Sequence, residues 1–225
     1  MIITIDSKWL SEHLDDPGLI IIDGRGSITY RFGHIVNARP LDVERVISIG
    51  DNGANLVIDI AAAEKTFGDL GIDDFKKVVV YGEYMDPSAA RIVWTLLYHG
   101  HLNSMLLESG FNMWKSLGLP VTREVPHNIS PAQFKSKLNY SIRADAEFIK
   151  SKQNDPNVVI VDARTIQEHI QARIPGSILH NWEEGLGDNG AMFKSKEALR
   201  KDLERSGITV DKEIICYCHS GSRSA

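Results

Sequence analysis

The chain repeats itself. Leu19-Ile20-Ile21-Ile22-Asp23-Gly24-Arg25 returns as Val158-Val159-Ile160-Val161-Asp162-Ala163-Arg164, an offset of 139. Each copy follows a helical-looking stretch (residues 7–14 and 144–149) and an Asp-Pro turn, Asp16-Pro17-Gly18 and Asp155-Pro156-Asn157. A second pair of landmarks comes in the same order. Gly71-Ile72-Asp73 precedes Val78-Val79-Val80-Tyr81, and Gly207-Ile208-Thr209 precedes Ile214-Ile215-Cys216-Tyr217, now at an offset of 136. A surface loop absorbs such a drift readily. Ordered self-similarity of this kind indicates two copies of one structural unit. The domains are predicted at residues 1–122 and 127–225, parted where Pro120 to Pro126 interrupts the apolar pattern.

The continuous β-branched runs read as strands buried on both faces. They alternate with helical patterns such as residues 89–97. That rhythm predicts an α/β fold, each copy a small, mostly parallel sheet flanked by helices. Ligand sites in such sheets lie beyond the carboxyl ends of the strands, where Cys218 and its first-copy counterpart Gly82 fall. The first copy continues with a helix around 88–98, a strand at 104–107 and a helical turn around 111–117. Nothing in the second copy corresponds to these. The second domain is therefore expected to lack its last elements, as a shortened form of something longer would, and to expose apolar surface.

A formal charge of -5 and a pI near 5.9 argue against a nucleic-acid partner. No window approaches the ~18 apolar residues of a membrane span, and Met1 to Asp6 do not read as a signal peptide. Two cysteines separated by one residue cannot staple a fold, so a reduced, cytoplasmic setting is expected.

One of those cysteines opens the hexapeptide Cys218-His219-Ser220-Gly221-Ser222-Arg223 at the end of a predicted strand. A thiol is mostly protonated at neutral pH, so a nucleophilic cysteine needs its pKa lowered. Gly221 is free to take backbone conformations closed to other residues, and the small Ser220 and Ser222 let successive N–H groups turn inward as an anion-binding nest. A helix starting near Ser224 would add its amino-terminal partial charge, and Arg223 brings a permanent cation. Cys216, two residues earlier, is expected in the core, and a disulfide across one residue would be strained.

This arrangement resembles the rhodanese family of sulfurtransferases, specifically its two-domain members. The resemblance covers the whole chain: a paired domain, an Asp-x-Arg at the end of an early strand in each copy, Gly33-His34-Ile35 and Ile174-Pro175-Gly176-Ser177 after it, and the loop Cys218 to Arg223 followed by Ser224-Ala225. It implies tandem rhodanese-like domains, the first non-catalytic and the second catalytic. It further implies that the Cys218 thiolate takes the outer sulfur of a small anionic donor such as thiosulfate. Cyanide, a thiol or a sulfur-accepting protein then receives that sulfur from the persulfide. No metal or organic cofactor is implied, and neither nucleic acid nor membrane is an expected partner. His219, Ser220, Gly221, Ser222, Arg223 and Arg164 are the expected substrate-binding residues, although Arg164 also reads as a strut tying strand end to loop through a carboxylate.

In two-domain members that use thiosulfate or mercaptopyruvate, an anion-binding arginine commonly sits four residues after the Asp-x-Arg arginine. Glu168 holds that position here, with Arg173 nearby. Thiosulfate or a protein persulfide is the expected donor, with 3-mercaptopyruvate, or a non-catalytic binding module, as the alternatives. A Cys-based phosphatase would need five residues between its cysteine and arginine; this loop has four.

Overall fold

The computed structural model describes residues 3–126 and 129–225. In chain order the first half runs β1 (Thr4–Ile5), α1 (Ser7–Glu12), β2 (Leu19–Asp23), α2 (Ser27–Tyr30), β3 (His34–Ile35), β4 (Arg39–Pro40), β5 (Ile47–Ile49), β6 (Asn55–Val57), α3 (Ile60–Asp69), β7 (Lys77–Tyr81), α4 (Ser88–Tyr98), β8 (Ser104–Leu107), α5 (Phe111–Ser116) and β9 (Val121–Thr122). The second half runs α6 (Ala146–Lys152), β10 (Val158–Asp162), α7 (Ile166–Gln171), β11 (Ile178–Leu179), α8 (Lys196–Arg205) and β12 (Glu213–Tyr217).

The duplication is visible in local chemistry before it is visible in the sheets. Asp6 and Asp145 cap α1 and α6 by accepting the amides of Trp9 and Phe148; Asp59 and Ser195 cap α3 and α8 by accepting those of Ala62 and Ala198. Each cap satisfies an amide that the helix leaves without an internal partner. The caps recur at the offsets of the sequence repeat, 145 − 6 = 139 and 195 − 59 = 136.

Packing follows the strand pattern. All five residues of β2 are buried: Ile20 and Ile22 face one cluster with Phe67 and Leu96, while Leu19 and Ile21 face another with Leu10 and Trp114. Such two-sided burial is what a parallel sheet sandwiched by helices demands. The first sheet is indeed parallel throughout, in the order β1-β8-β7-β2-β4. Each fully buried aliphatic side chain here stabilises the fold by about 1.5–3 kcal/mol relative to exposure.

The second sheet has three parallel strands, β11-β10-β12. Among the described residues no strand lies beyond β12, the counterpart of β7. Two sequence expectations meet this edge. The exposed apolar surface is there, with Ile214 43% accessible. Cys216, expected in the core, is exposed, because it shares with Ile214 the uncovered face of β12. Residues 132–139 lie against the first domain: Phe134 packs on Phe67 at 5.1 Å between ring centroids, and the amides of Lys137 and Asn139 bond the carbonyls of His99 and Tyr98. No helix among the described residues is long and apolar enough to cross a membrane.

Candidate functional site

The repeated Asp-x-Arg builds the same device twice. In the second domain β10 and β12 place Asp162 opposite Tyr217. The buried carboxylate accepts Arg164 Nε and Nη2 at 2.8 Å each, the Arg164 amide at 3.1 Å and the Tyr217 hydroxyl at 2.8 Å, with His169 Nδ1 2.9 Å away. Arg164 Nη2 also donates to the Ala172 carbonyl at 2.6 Å, and Tyr217 Oη accepts the Ile174 amide at 3.2 Å. Burial by itself would raise the Asp162 pKa; the bonds from Arg164, His169 and Tyr217 outweigh it and hold the carboxyl well below its ordinary value. In the first domain Asp23, Arg25 and Tyr81 make the same set, with Arg25 reaching the Gly33 carbonyl and Tyr81 accepting the Ile35 amide.

That clamp fixes where β12 ends, and therefore where Cys218 starts. Gly221 sits at φ +82°, a left-handed conformation that favours glycine, and this turns its amide back toward the thiol. The Gly221 N–H donates to Cys218 Sγ at 3.0 Å, and the Ser224 hydroxyl donates at 3.5 Å. Partial burial of the sulfur pushes its pKa up. The Ser224 hydroxyl and the amides of Gly221, Ser220 and Ser224 push it down by more, so the net displacement is toward the thiolate. Residues 219–222 are bends and 223–224 a turn, and the Ser224 side chain supplies a donor to the sulfur.

The other expected site residues are distributed as follows. Ser220 contributes its amide to the sulfur, Ser222 is half-buried within the loop, and His219 is exposed. Arg223 donates Nη1 and Nη2 to the two carboxylate oxygens of Glu168, both at 2.8 Å. Glu168 also completes a capping box with Thr165 at the start of α7. The paired arginine, then the Thr165 amide, draws Glu168 down to about 2. Arg164 is occupied by Asp162 and Ala172, and Arg173, the possible substitute, is exposed and near the His169 carbonyl.

Three contributors escaped the sequence reading. Tyr217 and His169 complete the carboxylate clamp, and Arg91 of α4 reaches across from the first domain, its Nη1 3.3 Å from the Gly221 carbonyl oxygen. A lone charge within the apolar helix Ala89 to Leu97 was the available signal for Arg91. The two domains also meet where the Tyr84 hydroxyl donates to the Gly187 carbonyl at 3.1 Å and the Met192 amide to the Glu108 carbonyl at 3.0 Å. In the first domain's matching loop Glu83 Oε1 accepts the amide of Tyr84, the counterpart of Ser220, at 3.0 Å, and that of Asn112 in α5 at 3.3 Å.

Comparison with known proteins follows the same division. A family model described as the rhodanese-like domain matches residues 6–117 and 145–225. The chain is 30% identical over 247 residues to a sulfur carrier protein of Thermus thermophilus, covering 99% of this chain and 84% of the relative. It is 28% identical to a thiosulfate sulfurtransferase of Pseudomonas aeruginosa, with the same two coverages, 99% and 84%. A 3-mercaptopyruvate sulfotransferase of Escherichia coli superposes with a TM-score of 0.84 over 100% of this chain and 91% of the other, at 23% identity, a likeness of fold.

Proposed function

Because this chain belongs to the rhodanese family and carries its domain twice, we propose that it moves a sulfane sulfur from a thiosulfate-class donor to cyanide or a thiol acceptor, by way of a persulfide on Cys218. The observation that carries this reading is the thiol at the end of β12 with the Gly221 amide 3.0 Å from its sulfur. The Cys218 thiolate attacks the outer sulfur of thiosulfate. A new S–S bond forms as the donor S–S bond breaks, and sulfite leaves with the bonding pair. The terminal sulfur now bears the negative charge, within reach of the same loop donors. A cyanide carbon or a thiolate then takes that sulfur, the Cys–S bond to it breaks, and the pair returns to Cys218 as thiolate. Neither step draws on a metal or an organic cofactor. The first domain acts as a non-catalytic partner in this reading, since its loop offers Gly82 and Glu83 where the second offers Cys218 and His219.

Initial rates with both substrates varied test the sequence of steps. Parallel double-reciprocal lines are expected, because sulfite departs before the acceptor binds; intersecting lines would reject the persulfide route.

The Glu168–Arg223 pair bears on the donor. With both guanidinium nitrogens engaged, Arg223 presents little free positive charge to a dianion. Glu168→Gln keeps the capping interaction with Thr165 but frees Arg223. A surface charge pair is worth about 1 kcal/mol or less, so the thiosulfate KM is expected to fall by about threefold to fivefold. An unchanged KM would remove Arg223 from the donor site. The likeness to a sulfur carrier protein supports a protein thiol among the acceptors.

A further inference from the structure

Arg91 is an unusual residue for its position. It lies in α4 of the first domain and is only 4% exposed, against the cysteine loop of the second. A buried guanidinium is costly unless something compensates its charge. Its Nη1 bonds the Gly221 carbonyl and its Cζ lies 4.9 Å from the Trp94 ring centroid, yet Nε and Nη2 are buried with no hydrogen-bond partner among the described residues. We infer that Arg91 is a positioning residue for Cys218: the first domain lends a buried cation that grips the Gly221 carbonyl, keeps the Gly221 amide aimed at the sulfur, and stabilises the sulfur in its anionic form. This inference rests on Cys218 acting as an ionised nucleophile, as proposed above.

Two observations support it beyond the single hydrogen bond. A Cβ built on Gly221 would collide with Arg91 Nη1, so the loop and the guanidinium are fitted to each other at the residue whose amide lies 3.0 Å from the thiol sulfur. Burial drives the Arg91 pKa down, the negative charge of Cys218 is the largest influence opposing that fall, and Arg143 adds to the lowering. The charged and titratable groups around Cys218 are Arg91 from α4, Arg223 with its partner Glu168, Cys216 on β12, Asp162 behind it, and the neighbouring His219. Arg164 is paired with Asp162, and Arg223 divides its charge between Glu168 and the Cys218 sulfur. Arg91 has the sulfur as its counter-charge. By this inference the duplication has a use: the first domain, without a thiol of its own, completes the electrostatics of the second.

The test is the pH dependence of Cys218 alkylation by iodoacetamide, read by peptide mass in Arg91→Gln and Arg91→Lys beside the wild type. Removing a nearby cation shifts a pKa by about 1 unit or more. Arg91→Gln is therefore expected to raise the midpoint by about that much, and Arg91→Lys to leave it near the wild-type value. Coincident midpoints for Gln and wild type would overturn the inference, and so would a Lys variant that behaves like Gln. A merely structural role would change the melting temperature without moving the midpoint. Should Arg91→Gln fail to fold, Cys218→Ser tests the ionised thiol that the inference requires. A depressed thiol pKa contributes stability above that pKa and loses it as pH falls, so the melting advantage of wild type over Cys218→Ser is expected to grow from pH 6 to pH 9. An advantage that does not change with pH would overturn the inference. A Cys218 that alkylates with a low midpoint, yet accepts sulfur from no donor, would retire the transfer reading and leave this one standing.

Discussion

Gly221→Ala is expected to lower kcat/KM for sulfur transfer by at least about 100-fold, the order of loss seen when one preorganised donor is removed from a reacting anion. Three effects act together at this position. The backbone is at φ +82°, which costs an L-residue about 1–2 kcal/mol. The new methyl would meet Arg91 Nη1 well inside contact distance. Relief of the strain swings the amide away from the sulfur it now meets at 3.0 Å, and relief of the clash displaces Arg91 from the Gly221 carbonyl. Gly176 provides the control, because it too has a positive φ, +80°, but a Cβ there meets nothing within 4 Å. Gly176→Ala is expected to cost a similar backbone strain of about 1–2 kcal/mol with kcat/KM little changed. Equal activity losses in the two variants would show that backbone strain, rather than the cradle, governs the effect.

Asp162→Ala is expected to destabilise the protein by about 3–5 kcal/mol, the range for breaking a buried ion pair from one side. The loss strands the Arg164 guanidinium, only 14% exposed, and unpairs the Tyr217 hydroxyl and the Arg164 amide. Tyr217→Phe, which removes the bond to Asp162 and leaves the Ile174 amide without its acceptor, should cost about 1–3 kcal/mol. The sign of the pH effect follows from the depressed carboxyl. Its contribution is complete above the unfolded aspartate value near pH 4 and is lost as pH falls through the lower folded value. The stability advantage of wild type over Asp162→Asn, measured by urea unfolding, should therefore be full at pH 7 and shrink below about pH 4. An advantage constant down to pH 2 would mean that the clamp does not depend on the charge of Asp162.

The elements that carried a strong period or a repeated motif were legible in the sequence. The β2 and β10 runs, the helix at residues 88–98, the strand at 104–107 and the parallel arrangement all appear where the pattern places them. The helix caps even preserve the two offsets of the repeat. What the sequence did not disclose depends on contacts between distant segments. Arg91 and Gly221 are 130 residues apart, and nothing local couples them. Glu168 was read as the wrong residue for an anion site, but its role as the bidentate partner of Arg223 needed the approach of α7 to the cysteine loop. Cys216 was expected in the core because strand alternation alone assumes a covered face; the face it shares with Ile214 is open, while Ile215 on the other face is buried.

Intact-mass measurement of the reduced protein after incubation with thiosulfate, then with a low-molecular-weight persulfide, bears most directly on whether the loop both activates the Cys218 sulfur and retains a second one. A gain of one sulfur atom, removed by cyanide and missing in Cys218→Ala, is expected. No gain with either donor, from a protein whose Cys218 remains reduced and open to alkylation, would contradict the sulfur-carrier reading.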